Sequence, residues 1–169
     1  MKYNILIDTP PDTFGGVKVK TDYRQVFEFF RIVSDEKKSD IEKARDILNV
    51  FFDKLPKFDN DRLWEFIEYY ISMGCKTSAE SSDRLFDWDI DSGRVYAAFI
   101  QAYRIDLTKE YMHWWTFRTL FDALPDGSKL MDIIKIRGMK RPTGKDRESA
   151  KERMRIDRLK AQFALDKED

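Results

Sequence analysis

The chain has 169 residues, near the usual size of one compact domain and long enough to bury a core without disulfides or metal ions. Hydrophobic residues make up 42% and charged residues 37%, which predicts a folded chain with a heavily solvated surface and excludes a disordered composition. Basic and acidic residues number 31 each, so the chain has no net field that would attract nucleic acid or anionic lipid. The charges are not evenly distributed along the chain, because the part from Arg137 onward has 11 basic residues and 7 acidic ones.

Redox and targeting features point to the cytoplasm. Cys75 is the only cysteine, which excludes an internal disulfide and the cysteine clusters of structural zinc sites. Near the start, the apolar run Ile5–Ile7 is only three residues long before Asp8, far short of a signal-peptide core or a membrane span. We therefore expect a cytoplasmic protein with no membrane partner.

The predicted elements begin with a β-hairpin. Its strands are Ile5–Ile7 and Val17–Lys20, joined by a segment that holds Pro10, Pro11, Gly15 and Gly16. Thr21 is the predicted cap of a first helix, and Ser39 with Glu42 has the form of a capping box that opens a second helix, ended by Pro56.

Four further helices and an arm follow. Asp59 and Gly74 bound the third helix, and polar residues 76–83 form a loop. Asp91 caps the fourth helix, and Thr108 caps a fifth that runs to about Leu124. A short sixth helix and a charged last helix, from about residue 146 to residue 165, complete the pattern. The sequence predicts a mainly α fold, with six or seven helices packed around a central aromatic helix and a small N-terminal hairpin. The helix-breaking glycine and proline residues from Gly138 to Gly144 divide the chain into a compact body, residues 1–137, and a linker with a charged helical arm, residues 138–169.

Few residues suggest chemistry. His113 is the only histidine, so a two-histidine metal site is impossible, and a nucleophilic site would require Cys75 or a serine to meet it in space. Asp87, Asp89 and Asp91 are spaced as at the start of an EF-hand loop. The sixth position is serine instead of glycine and the twelfth is alanine instead of glutamate, which favours a helix lead-in. We expect no catalytic residue, no metal and no cofactor.

The last helix offers a basic surface and a narrow apolar strip. Acidic residues interrupt its basic ones, which is more typical of a solvated helix than of a nucleic-acid-binding face. A nucleic-acid-binding accessory protein that uses this arm is therefore kept as the alternative function. Ile156, Leu159 and Phe163 lie on one strip that could dock on the body or on a partner.

The fifth helix is apolar on nearly all sides. Trp114 and Trp115 are adjacent and point about 100° apart, so the helix is either the centre of its own domain or is covered by another chain. Tryptophan and arginine dominate binding hot spots, which makes Trp114, Trp115 and Arg118 candidate protein-binding residues.

Several short blocks resemble the bacteriophage gene-product-fifteen family of tail-region proteins from siphophages and prophages. The resemblance is densest in Phe86–Asp89, Val95–Phe99, Tyr103–Leu107, Met112–Phe117 and Leu124–Pro125. It extends more loosely to Thr21–Arg24 near the start and to residues 159–165 near the end, so it covers nearly the whole chain. The chain departs from the family in a short loop between the two predicted strands and in the breakers from Gly138 to Gly144.

The resemblance implies a tail assembly chaperone that is not an enzyme. Such a protein would coat the tape-measure protein in the host bacterial cytoplasm and help recruit subunits of the tail-tube protein. The family carries no catalytic residue over to this chain. Binding in several copies would suit a long partner, so a homo-oligomer is also expected.

Overall fold

The computed structural model describes residues 4, 6–57, 59–75 and 84–165. This part of the chain forms seven helices and one hairpin, which confirms the predicted mainly α fold. The elements are β1 (Thr13–Phe14), β2 (Val17–Lys18), α1 (Tyr23–Ser34), α2 (Asp40–Phe51), α3 (Asn60–Ser72), α4 (Ser92–Tyr103), α5 (Trp114–Asp122), α6 (Lys129–Gly138) and α7 (Arg147–Gln162).

The chain divides into two compact units. Unit 1 comprises Met1–Ala79 and Tyr111–Leu120, and unit 2 comprises Glu80–Glu110 and Phe121–Asp169. Helices α6 and α7 pack against each other inside unit 2. The division into a body and an arm at residue 138 stays a prediction.

The hairpin forms later in the chain than predicted. Gly15 and Gly16 both have positive φ, and this two-residue turn pairs Phe14 with Val17. The predicted first strand at Ile5–Ile7 is wrong for Leu6 and Ile7, which lie in an exposed turn, while Ile5 lies outside the described residues. The glycine turn sets the register because it pairs the residues directly beside it.

Local capping signals set most helix starts. The capping box of Ser39 and Glu42 is present as predicted. Helices α3 and α4 begin directly after Asp59 and Asp91, but neither aspartate side chain accepts the predicted cap hydrogen bond from its helix. Asp146 caps α7, whose helical residues end at Gln162. The predicted loop at residues 76–83 lies outside the described residues.

Thr21 and Thr108 are not the helix caps that the sequence predicts. Asp22 caps α1 instead, with its carboxylate accepting from the Arg24 N–H, while Thr21 is buried and hydrogen-bonded to the Tyr111 hydroxyl. Near Thr108, the Asp106 carboxylate accepts from both the N–H and the hydroxyl of Thr108 and closes a turn.

Helix α5 begins at Trp114, because the chain before it is extended beside the start of α1. The Tyr23 N–H donates to the Met112 carbonyl and the Trp114 N–H donates to the Thr21 carbonyl, both at 2.9 Å. Helix α2 stops at Phe51 and not at Pro56, because Phe52 is extended and pairs with Val19.

An aromatic cluster forms the core of unit 1. Tyr23 stacks on Phe117 with ring centroids 4.5 Å apart, and Phe27 meets Phe117 edge-on. Tyr70 lies beside Trp115 and Phe51. Offset and edge-on ring contacts add stabilisation beyond the area that they bury.

Unit 2 has a more aliphatic core and one buried ion pair. Its buried apolar residues are Val95, Ala98, Phe99, Leu107, Leu124, Leu130, Ile133 and Ile156. Asp91 and Arg137 are buried among them, with 0% and 7% of their surface exposed. A polar pair in such a core has to be hydrogen-bonded to be tolerated.

Candidate protein-binding surfaces

The tryptophan pair of α5 lies in the core of unit 1. Trp114 is 2% exposed and Trp115 is 0% exposed. The Trp114 indole N–H donates to the Ile71 carbonyl at 3.0 Å and that of Trp115 donates to the Tyr70 carbonyl at 2.7 Å. Both indoles are therefore packed and hydrogen-bonded within the unit, so the first of the two interpretations of this helix describes the structure. A partner contact through them or through half-buried Arg118 stays a prediction.

The strip on α7 faces its own unit at two of its three positions. Ile156 is buried, and the Phe163 ring lies under the Lys129 ammonium, 5.2 Å from the ring centroid. Leu159 is half-buried between them along the helix. Since docking on the same chain uses Ile156 and Phe163, only part of this strip is open, and its role in binding a partner stays a prediction.

Arg137 forms hydrogen bonds that the sequence analysis did not predict. Its guanidinium donates to both Asp91 carboxylate oxygens, at 2.6 and 3.1 Å, to the Leu85 carbonyl at 3.0 Å and to the Phe163 carbonyl at 2.6 Å. One side chain thus joins the start of α4, the chain before it and the end of α7. By sequence, Arg137 counts only as the first residue of the mildly basic C-terminal part, and no signal within a single sequence identifies a partner 46 residues away.

The aspartates that resemble the start of a calcium loop are held by the protein itself. Asp91 also accepts from Arg94, at 2.6 Å, and from the Asp87 N–H, at 3.1 Å. Burial alone would raise the pKa of Asp91, but the hydrogen bonds from Arg137 and the Asp87 N–H keep it below its usual value. Asp87 accepts from the N–H groups of Asp89 and Ile90, so its carboxylate closes a turn. Within the described ranges, no group of three or more His, Cys, Asp or Glu side chains is arranged to hold a metal ion.

His113 is packed beside the main chain of unit 1. Its Nδ1 accepts the Trp115 N–H at 3.1 Å and its Nε2 lies 3.4 Å from the Pro11 carbonyl, an arrangement that fits a neutral ring with its proton on Nε2. Burial lowers the pKa of His113. Cys75 is exposed and forms no hydrogen bond with the imidazole. The ring therefore has a structural role in this geometry.

Large apolar side chains are exposed at one end of the α1–α2 helical hairpin. Val33, in the last turn of α1, is 47% exposed, and Ile41, in the first turn of α2, is 83% exposed. Lys43 reaches across to the Val33 carbonyl at 2.9 Å, so the two exposed residues share one end of the hairpin. We call Val33 and Ile41 the hairpin end.

The apolar stripes of both helices lead to the hairpin end. In α1 the positions Val26, Phe30 and Val33 pass from buried to half-buried to exposed. In α2, Leu48 is half-buried and Ile41 is exposed. The structure buries only the inner ends of both stripes. An apolar stripe that opens in this way suits the apolar face of another helix.

The class of the protein follows from these observations and from comparison with known proteins. The fold is mainly helical with one small two-stranded hairpin. The family model described as Bacteriophage Gp15 protein matches residues 15–165, and the chain belongs to this family of bacteriophage proteins. No curated protein and no solved structure matches the chain. None of the described helices is both long and apolar enough to span a membrane.

Proposed function

We propose that the protein is a non-catalytic tail assembly chaperone that binds the tape-measure protein in the host bacterial cytoplasm and helps recruit tail-tube subunits. Family membership indicates a phage structural or assembly protein and supports this role. The observation that carries the proposal furthest is the hairpin end, where Val33 and Ile41 are exposed on a chain in which 37% of residues are charged.

A tape-measure protein is long, helical and apolar enough to aggregate without a covering partner. A chaperone for it needs apolar contacts that cover exposed helix faces yet release them during assembly. The hairpin end offers two side chains of this kind instead of a large hydrophobic interface, and interfaces of small apolar area favour reversible binding.

The test is capture of co-expressed tape-measure protein by the tagged chain. We expect Val33→Ser combined with Ile41→Ser to lower capture several-fold, because both changes remove exposed apolar surface without opening the core. Ile90→Ser is the matched control, since Ile90 is 46% exposed but lies in unit 2, and it should leave capture unchanged.

Two results would count against the proposal in different ways. If the wild-type chain captures no tape-measure protein, the function is wrong. If the folded double variant captures as much as the wild type, the function stands and the surface is wrong; Leu159→Ala then tests the strip on α7.

A further inference from the structure

Two exposed helix faces of opposite charge carry the same arrangement of side chains. On α3, Asp61, Trp64 and Glu68 lie on one stripe, with Trp64 37% exposed. On α7, Lys151, Met154 and Arg158 lie on one stripe, with Met154 70% exposed. We call these the α3 stripe and the α7 stripe.

The spacing of the two stripes is identical. Each has a charged residue at its first position, a large apolar residue three positions later and a second charged residue seven positions later. Seven residues of helix span about 10.5 Å, so the charges and the apolar centres can coincide when the helices lie side by side. Reversing one helix shifts the centres by only about 1.5 Å, which side chains can absorb.

Among the described residues, the charges of both stripes form no ion pair. On α3, no ion pair with any residue in the described ranges is formed by Asp61, Glu68 or the nearby Glu65. On α7, the same holds for Lys151 and Arg158. This differs from the neighbouring charges of α7, where Arg155 pairs with Glu152.

We infer that the chain associates with copies of itself, the α3 stripe of one copy docking on the α7 stripe of the next. Opposite charges would pair at both ends, and the Met154 thioether would meet the Trp64 ring, a favourable sulfur–aromatic contact. Because the two surfaces differ, the contact is head-to-tail and produces a ring or an open chain of copies. Such an array would let several copies follow one elongated partner, but the association itself needs no partner.

Charge reversal with rescue tests this contact in the purified chain. The α3-reversed variant is Glu65→Lys with Glu68→Lys; Asp61 is left unchanged because a lysine there would oppose the dipole at the start of α3. The α7-reversed variant is Lys151→Glu with Arg158→Glu. All four positions are exposed, so both variants should fold like the wild type.

Sedimentation velocity is measured at about 10 mM and about 1 M salt, where electrostatic screening lengths are roughly 30 and 3 Å. A reductant is present, since Cys75 is exposed. The wild type should exceed monomer mass at low salt and approach it at high salt. Each reversed variant should be monomeric alone, while their equimolar mixture should associate again. The control variant, Lys18→Glu with Lys37→Glu, makes the same change in net charge as the α7-reversed variant but at exposed positions elsewhere. It should associate like the wild type.

Three results would overturn the inference. The first is a wild type that stays monomeric at low salt and high protein concentration. The second is association of both reversed variants to the same extent as the wild type. A wild type that is monomeric but shifts DNA mobility, in a way that the α7-reversed variant does not, would assign the α7 stripe to nucleic acid. None of these results depends on the tape-measure protein, so the proposed function can stand or fail separately.

Discussion

The two units hold their cores together by different means. The core of unit 1 is built from aromatic rings: Phe117 stacks on Tyr23 and on Trp114, Trp115 lies beside Tyr70, and each indole N–H donates to a main-chain carbonyl. Unit 2 uses one cation, because Arg137 joins three chain segments through hydrogen bonds to Asp91, Leu85 and Phe163.

The difference determines how each unit should respond to substitution. An aromatic core spreads its stabilisation over many contacts, so loss of one contact costs part of the total. A buried ion pair concentrates the effect on two side chains, because removal of Arg137 leaves the buried Asp91 carboxylate with only the partly exposed Arg94 and the Asp87 N–H to stabilise its charge.

The largest expected effect is in unit 2. Arg137→Met should lower the free energy of unfolding by about 3–5 kcal/mol, since it leaves the Asp91 carboxylate buried without its main partner. Urea unfolding followed by circular dichroism measures this loss. Arg137→Met combined with Asp91→Leu should recover a large part of it, because no buried charge remains. Equal losses in the single and double variants would show that the pair matters for its packing and not for its charge.

A smaller effect is expected in unit 1. Trp115→Phe keeps a ring in the cluster but removes the donor to the Tyr70 carbonyl, which should cost about 1–3 kcal/mol. Trp64→Phe is the control at a partly exposed position and should change stability by no more than about 0.5 kcal/mol at high salt. If both changes cost the same, the buried hydrogen bond adds nothing to the aromatic cluster.

The smallest effect is a pH dependence of unit 1. Burial places the pKa of His113 below 6.5, so the unfolded chain binds a proton that the folded chain binds less readily. Stability should therefore be complete above pH 6.5 and fall as the pH drops below it, by at most about 1.4 kcal/mol per pH unit. Urea midpoints measured between pH 7.5 and about 5 should show the fall in the wild type but not in His113→Gln. An equal fall in both would assign it to other groups.

Features that depend on neighbouring residues were predictable from the sequence. The capping box at Ser39 follows from side chains within a few residues of the start of α2, so the pattern alone located it. Asp59 and Asp91 correctly marked the starts of α3 and α4, although neither side chain accepts a cap hydrogen bond. The mainly α class followed from the apolar periodicity of the same segments.

Features that depend on distant residues were not. Asp91 looked like a cap or a calcium ligand because the sequence does not show that Arg137 reaches it. Helix α5 was predicted to start at Thr108 because the main-chain hydrogen bonds that hold the chain before α5 extended, to Thr21 and Tyr23, come from a distant segment and leave no local signal. The hairpin end was missed for the same reason: periodicity shows which residues share a helix face but not how much of that face the fold covers.

The proposed role of the exposed apolar surface on unit 1 is tested by the solubility of the tape-measure protein. The measurement is the soluble fraction of tape-measure protein expressed alone, with the wild-type chain, and with the Val33→Ser and Ile41→Ser double variant. We expect a clear rise with the wild type and little or none with the double variant. A soluble fraction that is the same in all three cultures, with the wild-type chain folded and present, would contradict it.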